Sequence, residues 1–143
     1  MANNLRNYEP ALRAGADITT AGAVTSSSAT AGVGYSTGAG GTVTQATSKS
    51  TGVTLNKVTG QITMNNAALA AGAEVAFTLT NSSIAATDVV AVSIASGGTS
   101  ASYATSVTAV AAGSCEITVS NLSAGSLGEA LVLNFVVLKG VAA

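Results

Sequence analysis

From about residue 33 onward, apolar and polar side chains alternate along the chain. A period of two is typical of β-strands that bury one face. The segment Glu74–Thr80 shows the pattern most clearly, since Val75, Phe77 and Leu79 share one side of it. Glycine-containing turns separate similar segments, so the pattern predicts about eight short strands. These are Thr42–Gln45, Val53–Asn56, Gln61–Met64, Glu74–Thr80, Val89–Ile94, Tyr103–Val110, Cys115–Ser120 and Ala130–Leu138.

Short turns between some of these segments predict antiparallel hairpins. Only a few residues separate Val53–Asn56 from Gln61–Met64, so we expect these two segments to pair. A second hairpin is expected between Tyr103–Val110 and Cys115–Ser120, because the turn between them contains Gly113.

Two segments are apolar on both faces. Val89–Ile94 suits a strand covered on both sides, and Ala130–Leu138 suits a central strand or one face of a subunit contact. Ala67–Ala71 is compatible with a single helical turn, and no longer helix is expected after residue 33. Together the segments predict an all-β fold, an antiparallel two-sheet sandwich with jelly-roll-like topology, over residues 34–143.

The first 33 residues lack sustained periodicity, and we interpret them as an extended N-terminal arm. Leu5, Tyr8 and Leu12 are spaced to share one side of a short helical turn, which Pro10 limits in length. Thirty extended residues reach about 100 Å, enough to lie across a neighbouring subunit. An ordered arm would need main-chain hydrogen bonds to a partner's sheet edge, and a frayed terminus is the alternative.

Composition adds that the core is built from small side chains. Hydrophobic residues make up 48% and the net charge is −1, which is unlike a disordered chain. Aromatic residues make up only 3%. A core of small branched side chains gains from further burial between subunits, and the low net charge opposes close packing of copies only weakly. We therefore expect a homo-oligomer.

The same composition argues against two classes of partner. Phosphate binding needs clustered basic residues, and the five Lys and Arg residues are scattered, so no nucleic-acid partner is expected. No apolar run of about 20 residues is present, so no membrane partner is expected. Met1–Asp17 lacks the basic and apolar regions of a secretory signal, and we expect synthesis in a cytoplasm.

The reactive residue types argue against an enzyme. The chain has no His, the commonest general base. Cys115 shares a strand face with Ile117 and Val119, so we interpret it as a buried, inert thiol and not a reactive one. Gly38–Gly41 lacks the Lys-Ser or Lys-Thr of a phosphate loop and is interpreted as a flexible loop. No catalytic residue, cofactor or metal site is predicted. The carboxylates available to a paired mechanism are Glu9, Asp17, Glu74, Asp88, Glu116 and Glu129.

Two segments carry a more specific signal. They are Thr47–Lys57, which reads TSKSTGVTLNK, and Gly60–Met64, which reads GQITM. With their surroundings they resemble a β-module that recurs in virion structural proteins of tailed bacteriophages. The resemblance covers roughly residues 34–140 and leaves the arm outside. The other matching segments are Gly34-Tyr35, Gly38–Gln45, Phe77–Asn81, Asp88–Val90 and the apolar terminal strand.

The resemblance implies a module of the kind found on head decoration (cement) proteins and on fibres, and it supplies no catalytic or ligand residues. A fibre usually needs an additional shaft, so the length of this chain favours a decoration protein. We therefore expect it on the capsid surface, bound to the major capsid protein, as a homotrimer in preference to a dimer. The alternative is a head-fibre or tail-fibre tip that binds a host glycan through Tyr103 or the Gly97-Gly98 loop. The arm residues expected to contact the capsid are Leu5, Arg6, Tyr8, Leu12, Arg13 and Ile18.

Overall fold

The computed structural model describes residue 21, residue 23, residues 25–30 and residues 32–142. The chain divides into two units, Met1–Gly34 and Tyr35–Ala143. The described residues of the first unit are exposed and contain no helix or strand. Every strand of the described residues belongs to the second unit.

This second unit is an all-β sandwich, which confirms the fold class predicted from the alternating pattern. Eight strands form two four-stranded sheets with the hydrophobic core between them. The strands are β1 (Thr42–Thr44), β2 (Val53–Thr54), β3 (Thr59–Thr63), β4 (Glu74–Thr80), β5 (Val89–Ser96), β6 (Tyr103–Ala111), β7 (Ser114–Asn121) and β8 (Val132–Leu138).

The first sheet has the strand order β1-β3-β8-β5, and the second has the order β2-β4-β7-β6. The short edge strands β1 and β2 join in parallel to β3 and β4, whereas every other pair is antiparallel, so both sheets are mixed. Successive strands cross from one sheet to the other until the β6–β7 hairpin. That hairpin is the second one predicted from the sequence, and it is confirmed.

The pairing of β4 with β7 shows how alternation sets the core. Phe77 lies opposite Ile117, and Leu79 lies opposite Cys115. All four side chains are at most 3% exposed. The interpretation of Cys115 as a buried thiol is therefore confirmed. Burial raises the pKa of this thiol to about 11, which keeps it protonated and unreactive at neutral pH.

The strand β8 is the centre of the first sheet, with β3 on one side and β5 on the other. Its inward residues Leu133, Phe135 and Val137 are at most 2% exposed. The sequence prediction of a central strand is confirmed. Because both neighbours of β8 depend on it, its inward side chains position the whole first sheet.

The hairpin predicted for Val53–Asn56 and Gln61–Met64 is wrong. Leu55 still donates its N–H to β4 in the second sheet, whereas the carbonyl of Val58 already accepts a bond from β8 in the first sheet. The chain therefore crosses between the sheets within this short turn. The alternation correctly indicated which side chains face inward. It did not distinguish a hairpin within one sheet from a turn that crosses between sheets, because both keep the same side chains inward.

The prediction that Val89–Ile94 is covered on both faces is also wrong. This strand is β5, which has a neighbour only in β8 and forms an edge of the first sheet. Val89 is 59% exposed, and Ala91 and Ser93 are exposed as well. Ala and Val are small enough to lie on an exposed face, so their presence there does not show that the face is buried.

No helical turn forms at Ala67–Ala71. Leu69 instead exchanges two backbone hydrogen bonds with Leu127, of 2.9 and 3.0 Å. The side chain of Asn65 accepts a bond from the N–H of Ala67 at 2.8 Å, which holds the backbone in an extended path. Burial of the Leu69 side chain then favours the bridge over a helical turn.

A comparison of two leucines of the same strand tests how much core packing contributes to the free energy of unfolding. Leu133 is fully buried, and Leu138 is 52% exposed. We expect Leu133→Ala to lower the free energy of unfolding by about 2–5 kcal/mol, because it removes apolar contacts and leaves a cavity. Leu138→Ala should change it by less than about 1 kcal/mol. Equilibrium urea unfolding measures both, and equal losses would contradict this assignment of the core.

Candidate interaction surfaces

The two sheets differ in the charge of their strands. No strand of the first sheet contains a charged residue, whereas the second sheet contains Glu74 and Glu116. Both carboxylates are bonded within the sheet: Ser120 donates to Glu74 at 2.9 Å, and Thr108 donates to Glu116 at 2.8 Å. The second sheet therefore presents a polar face whose acids already have partners. The first sheet presents a neutral one.

An open depression of about 540 Å³ lies on the first sheet and touches all four of its strands. Near its middle, Gln61 donates a side-chain hydrogen bond of 2.9 Å to Asn134 on the neighbouring strand. Around this amide pair the lining includes the small residues Thr42, Ala91 and Ser93, and also Phe135 and Val136. Hydroxyl and amide groups of this kind can hydrogen-bond a polar ligand, and small neutral side chains can also fit closely against a protein surface.

An apolar corner lies at one end of the same sheet. Val89 and Leu138 are directly opposite each other on β5 and β8, and both are more than half exposed. Tyr35 reaches this end of the sheet, where its hydroxyl donates to the carbonyl of Val137. Tyr35 is itself 44% exposed. An exposed apolar group beside a neutral face marks this region as a candidate contact surface.

An ion pair closes this end of the sandwich. Lys139 donates to the carboxylate of Asp88, whose side chain is fully buried. The same carboxylate accepts backbone bonds from Ala85 at 2.7 Å and from Gly140 at 3.1 Å. The bond from Ala85, followed by the one from Lys139, lowers the pKa of Asp88 to about 2. Asp88 thus ties the end of β8 to the loop before β5.

A buried lysine has the corresponding role at the other end. Lys49 is 3% exposed, and its Nζ donates to the carbonyls of Asn65 and Glu129. Burial lowers the pKa of Lys49, and the nearby Glu129 charge partly offsets this. The side chain of Gln45 bonds the carbonyls of Lys49 and Thr51. Sequence reasoning missed this role, because a lysine in a Ser- and Thr-rich segment is usually solvated.

The predicted glycan contacts Tyr103 and Gly97-Gly98 pack against each other. A Cβ placed on Gly98 would lie 3.2 Å from the Tyr103 ring, so the loop lies directly on the ring. The Tyr103 hydroxyl is buried without a hydrogen-bond partner of normal geometry among the described residues, close to the Glu129 carboxylate. Burial first, and Glu129 second, raise the pKa of Tyr103 to about 12. The ring therefore supports the loop and is not displayed for stacking on a sugar.

The last acidic side chain among residues 32–142 is also engaged. Glu129 accepts bonds from the hydroxyl and the backbone N–H of Thr99, which lower its pKa. Within the described part of the chain, no three His, Cys, Asp or Glu side chains are grouped so as to hold a metal ion. No helix there is long and apolar enough to span a bilayer. The proposed capsid contacts Leu5, Arg6, Tyr8, Leu12, Arg13 and Ile18 lie outside the described residues.

In comparisons with known proteins, no family model, no curated protein and no solved structure matches this chain.

The Asp88 contacts predict a specific pH dependence. Because the folded-state pKa of Asp88 lies below its ordinary value of 3.8, its charged form stabilises the fold above about pH 4. This contribution is lost as the pH falls toward about 2. We expect Asp88→Asn to lower the midpoint of thermal unfolding at neutral pH and to flatten its decline in acid.

Circular dichroism during heating, repeated across the acid range, makes the measurement. Lys139→Ala is the matched variant, because it removes one partner of Asp88 and keeps the backbone bonds from Ala85 and Gly140. It should shift the acid-induced loss to a higher pH without abolishing it. An Asp88→Asn protein that declines in acid as steeply as the unmodified protein would contradict the assigned role.

Proposed function

We propose that this chain is a non-catalytic structural protein of a tailed-bacteriophage virion, a decoration (cement) protein of the capsid surface. In this proposal the sandwich is the body that lies on the shell, and residues 1–33 clamp neighbouring capsid subunits. The observation that carries the proposal is the neutral first sheet, which has no charged residue on any strand. The assignment to a phage head is supported by the sequence resemblance of residues 34–140.

A neutral β surface suits permanent contact with protein better than it suits contact with solvent alone. Small side chains such as Ala91, Ser93 and Thr42 cost little conformational entropy when they are buried. A close fit over about 800 Å² per partner is typical of a stable interface. On a capsid lattice, many linked copies also bind with avidity, so each contact can be modest.

The rigid body also fits the proposed role. Leu133 and Phe135 hold the central strand, while Lys49 and Asp88 fasten loops at the two ends. Such fastening leaves few parts of residues 35–142 that would have to become ordered on binding. The entropic cost of adhesion then falls mainly on the arm.

The arm is the part of the proposal that adhesion tests directly. We expect the triple variant Leu5→Ala, Tyr8→Ala, Leu12→Ala to bind capsids at least tenfold more weakly. Burial of one such side chain contributes about 1.5 kcal/mol or more, and 1.4 kcal/mol corresponds to a factor of ten. Co-sedimentation with shells assembled from the major capsid protein encoded alongside this chain measures the affinity.

The matched control is Asn3→Ala, Asn4→Ala, Asn7→Ala, which alters polar neighbours in the same segment and should bind normally. Removal of residues 1–33 should abolish adhesion and leave the sandwich folded, since the described core begins at Val43. Unimpaired adhesion of the shortened protein would refute the clamp.

A second candidate function is that of a fibre tip that binds a host glycan. The depression on the first sheet favours it, because its volume of about 540 Å³ lies within the range of small-ligand sites. Gln61 and Asn134 provide amide groups at its middle. Since the Tyr103 ring is packed beneath Gly98, the depression is a better candidate for sugar contact than that loop.

For this second candidate, binding on a glycan array should fall at least tenfold in Gln61→Ala and Asn134→Ala, since each removes a hydrogen-bonding amide. Thr78→Ala on the polar face of the second sheet is the control and should bind as the unmodified chain does. Absence of array binding by the unmodified chain would argue against a fibre tip and leave the decoration proposal standing.

A further inference from the structure

The strand β5 leaves a row of backbone groups open at the edge of the first sheet. On the central strand β8, Val137 donates its N–H toward β3. In an antiparallel ladder the alternate residues of β8 therefore bond β5, and Val136 and Asn134 lie opposite Ala91 and Ser93. The other set of alternate residues on β5 directs its backbone N–H and C=O groups away from the sheet. The residues of this set are Val90, Val92 and Ile94.

No hydrogen-bond partner for these three residues is present in residues 32–142. Their side chains point inward, yet Val92 and Ile94 are only half-buried because the first sheet ends at this strand. The edge therefore leaves both hydrogen-bonding capacity and apolar surface unused. A further strand beside β5 would use both.

The devices that usually protect an edge strand are missing from the part of β5 between Val89 and Ile94. Such devices are short length, charged residues, proline and bulges. The other edges of the sandwich have them: β1 and β2 contain three and two residues, and β6 is interrupted by a bulge between Val107 and Ala109. β5 has eight residues, no charge and no proline, and its irregularity comes only after Ile94. The adjacent strand β6 is also uncharged, so nothing in either strand of this flank repels a copy of itself.

The sequence of β5 points to its partner, because it reads nearly the same in both directions about Val92. Ala91 and Ser93 flank the centre, and Val90 and Ile94 lie beyond them. From this symmetry we infer that β5 pairs with β5 of a second copy, antiparallel, about a two-fold axis at Val92. A two-fold contact requires a surface that complements itself, and this strand meets that condition.

The pairing matches every group on the edge. Val92 faces its own copy, and Val90 faces Ile94 of the partner subunit, with two hydrogen bonds in each such pair. Ala91 then lies opposite the partner's Ser93, and neither side chain is large enough to obstruct the approach. The two first sheets become one continuous sheet of eight strands. The half-buried apolar side chains of the edge become interior.

This inference does not depend on the proposed function, which concerns adhesion to the capsid and not the number of copies. It replaces the trimer expected from the sequence resemblance with a dimer, of about twice the 13.7 kDa of one chain. The two proposals fail separately. A dimer that does not adhere to capsids would remove the decoration role and leave the pairing, whereas an adhering monomer would do the reverse.

A designed disulfide tests the register. In the inferred pairing, position 91 faces position 93 of the partner across a non-hydrogen-bonded pair, with Cα atoms about 4.5 Å apart, within the range of disulfides. We expect the full chain with Ala91→Cys and Ser93→Cys to form a covalent dimer under oxidised glutathione. The matched control, Ala76→Cys with Thr78→Cys, places the same spacing on the outer face of the second sheet. It should stay uncrosslinked, and the native Cys115 is buried in both proteins.

Sedimentation equilibrium tests the same contact without covalent chemistry. Ala91→Lys with Ser93→Lys should raise the dimer dissociation constant at least tenfold, because lysines on both copies then meet at the edge. Ala76→Lys with Thr78→Lys should leave the constant unchanged. A monomer, a trimer, or a dimer unaffected by lysines on β5 would overturn the inference. Preferential crosslinking through Ala104→Cys with Ser106→Cys on β6 would overturn it as well.

Discussion

Packing between the two sheets is the interaction on which the rest of the structure depends, and it uses most of the large apolar side chains of the second unit. Both phenylalanines are at most 3% exposed, and Ile62, Ile117 and Leu133 are fully buried. With aromatic residues at 3% of the chain, few remain for the surface. The outward positions are therefore filled by Thr, Ser, Ala and Asn. No strand of the first sheet carries a charge, which makes that sheet available for protein contact.

The small side chains of this core do not extend into the loops. Buried polar groups hold the loops in place instead. The side-chain nitrogen of Asn121 lies 2.8 to 3.0 Å from the carbonyl oxygens of Leu69, Ala70 and Gly125, so its two N–H groups are shared among three acceptors. The side chain of Asn81 bonds the carbonyl of Lys57. Both asparagines begin an Asn-X-Ser sequence, yet both are at most 1% exposed, and their side-chain oxygens cap the turns that follow. These positions are explained by local hydrogen bonding, with no need for a modification.

Much of this fold could be predicted from the sequence, because the alternation of apolar and polar residues shows which side chains face inward. It placed Phe77 and Leu79 in the core, buried Cys115, and identified the β6–β7 hairpin. It could not state which strand lies beside which, since a turn that crosses between sheets preserves the alternation. Nor did it distinguish the edge strand β5 from a covered one, because small residues such as Ala and Val occupy exposed as well as buried faces. The burial of Lys49 depends on carbonyls 16 and 80 residues away, and no local pattern reports contacts over such separations.

The misplacement of β5 bears on assembly. A segment reads as covered when it lacks polar residues, and β5 lacks charge although one side of it is open in a single chain. In a monomer that combination is a liability, since neutral edges associate without specificity. Selection against aggregation would normally place a lysine on such an edge. The sequence of β5 is therefore better explained by a partner strand that pairs with its open edge in the assembled state.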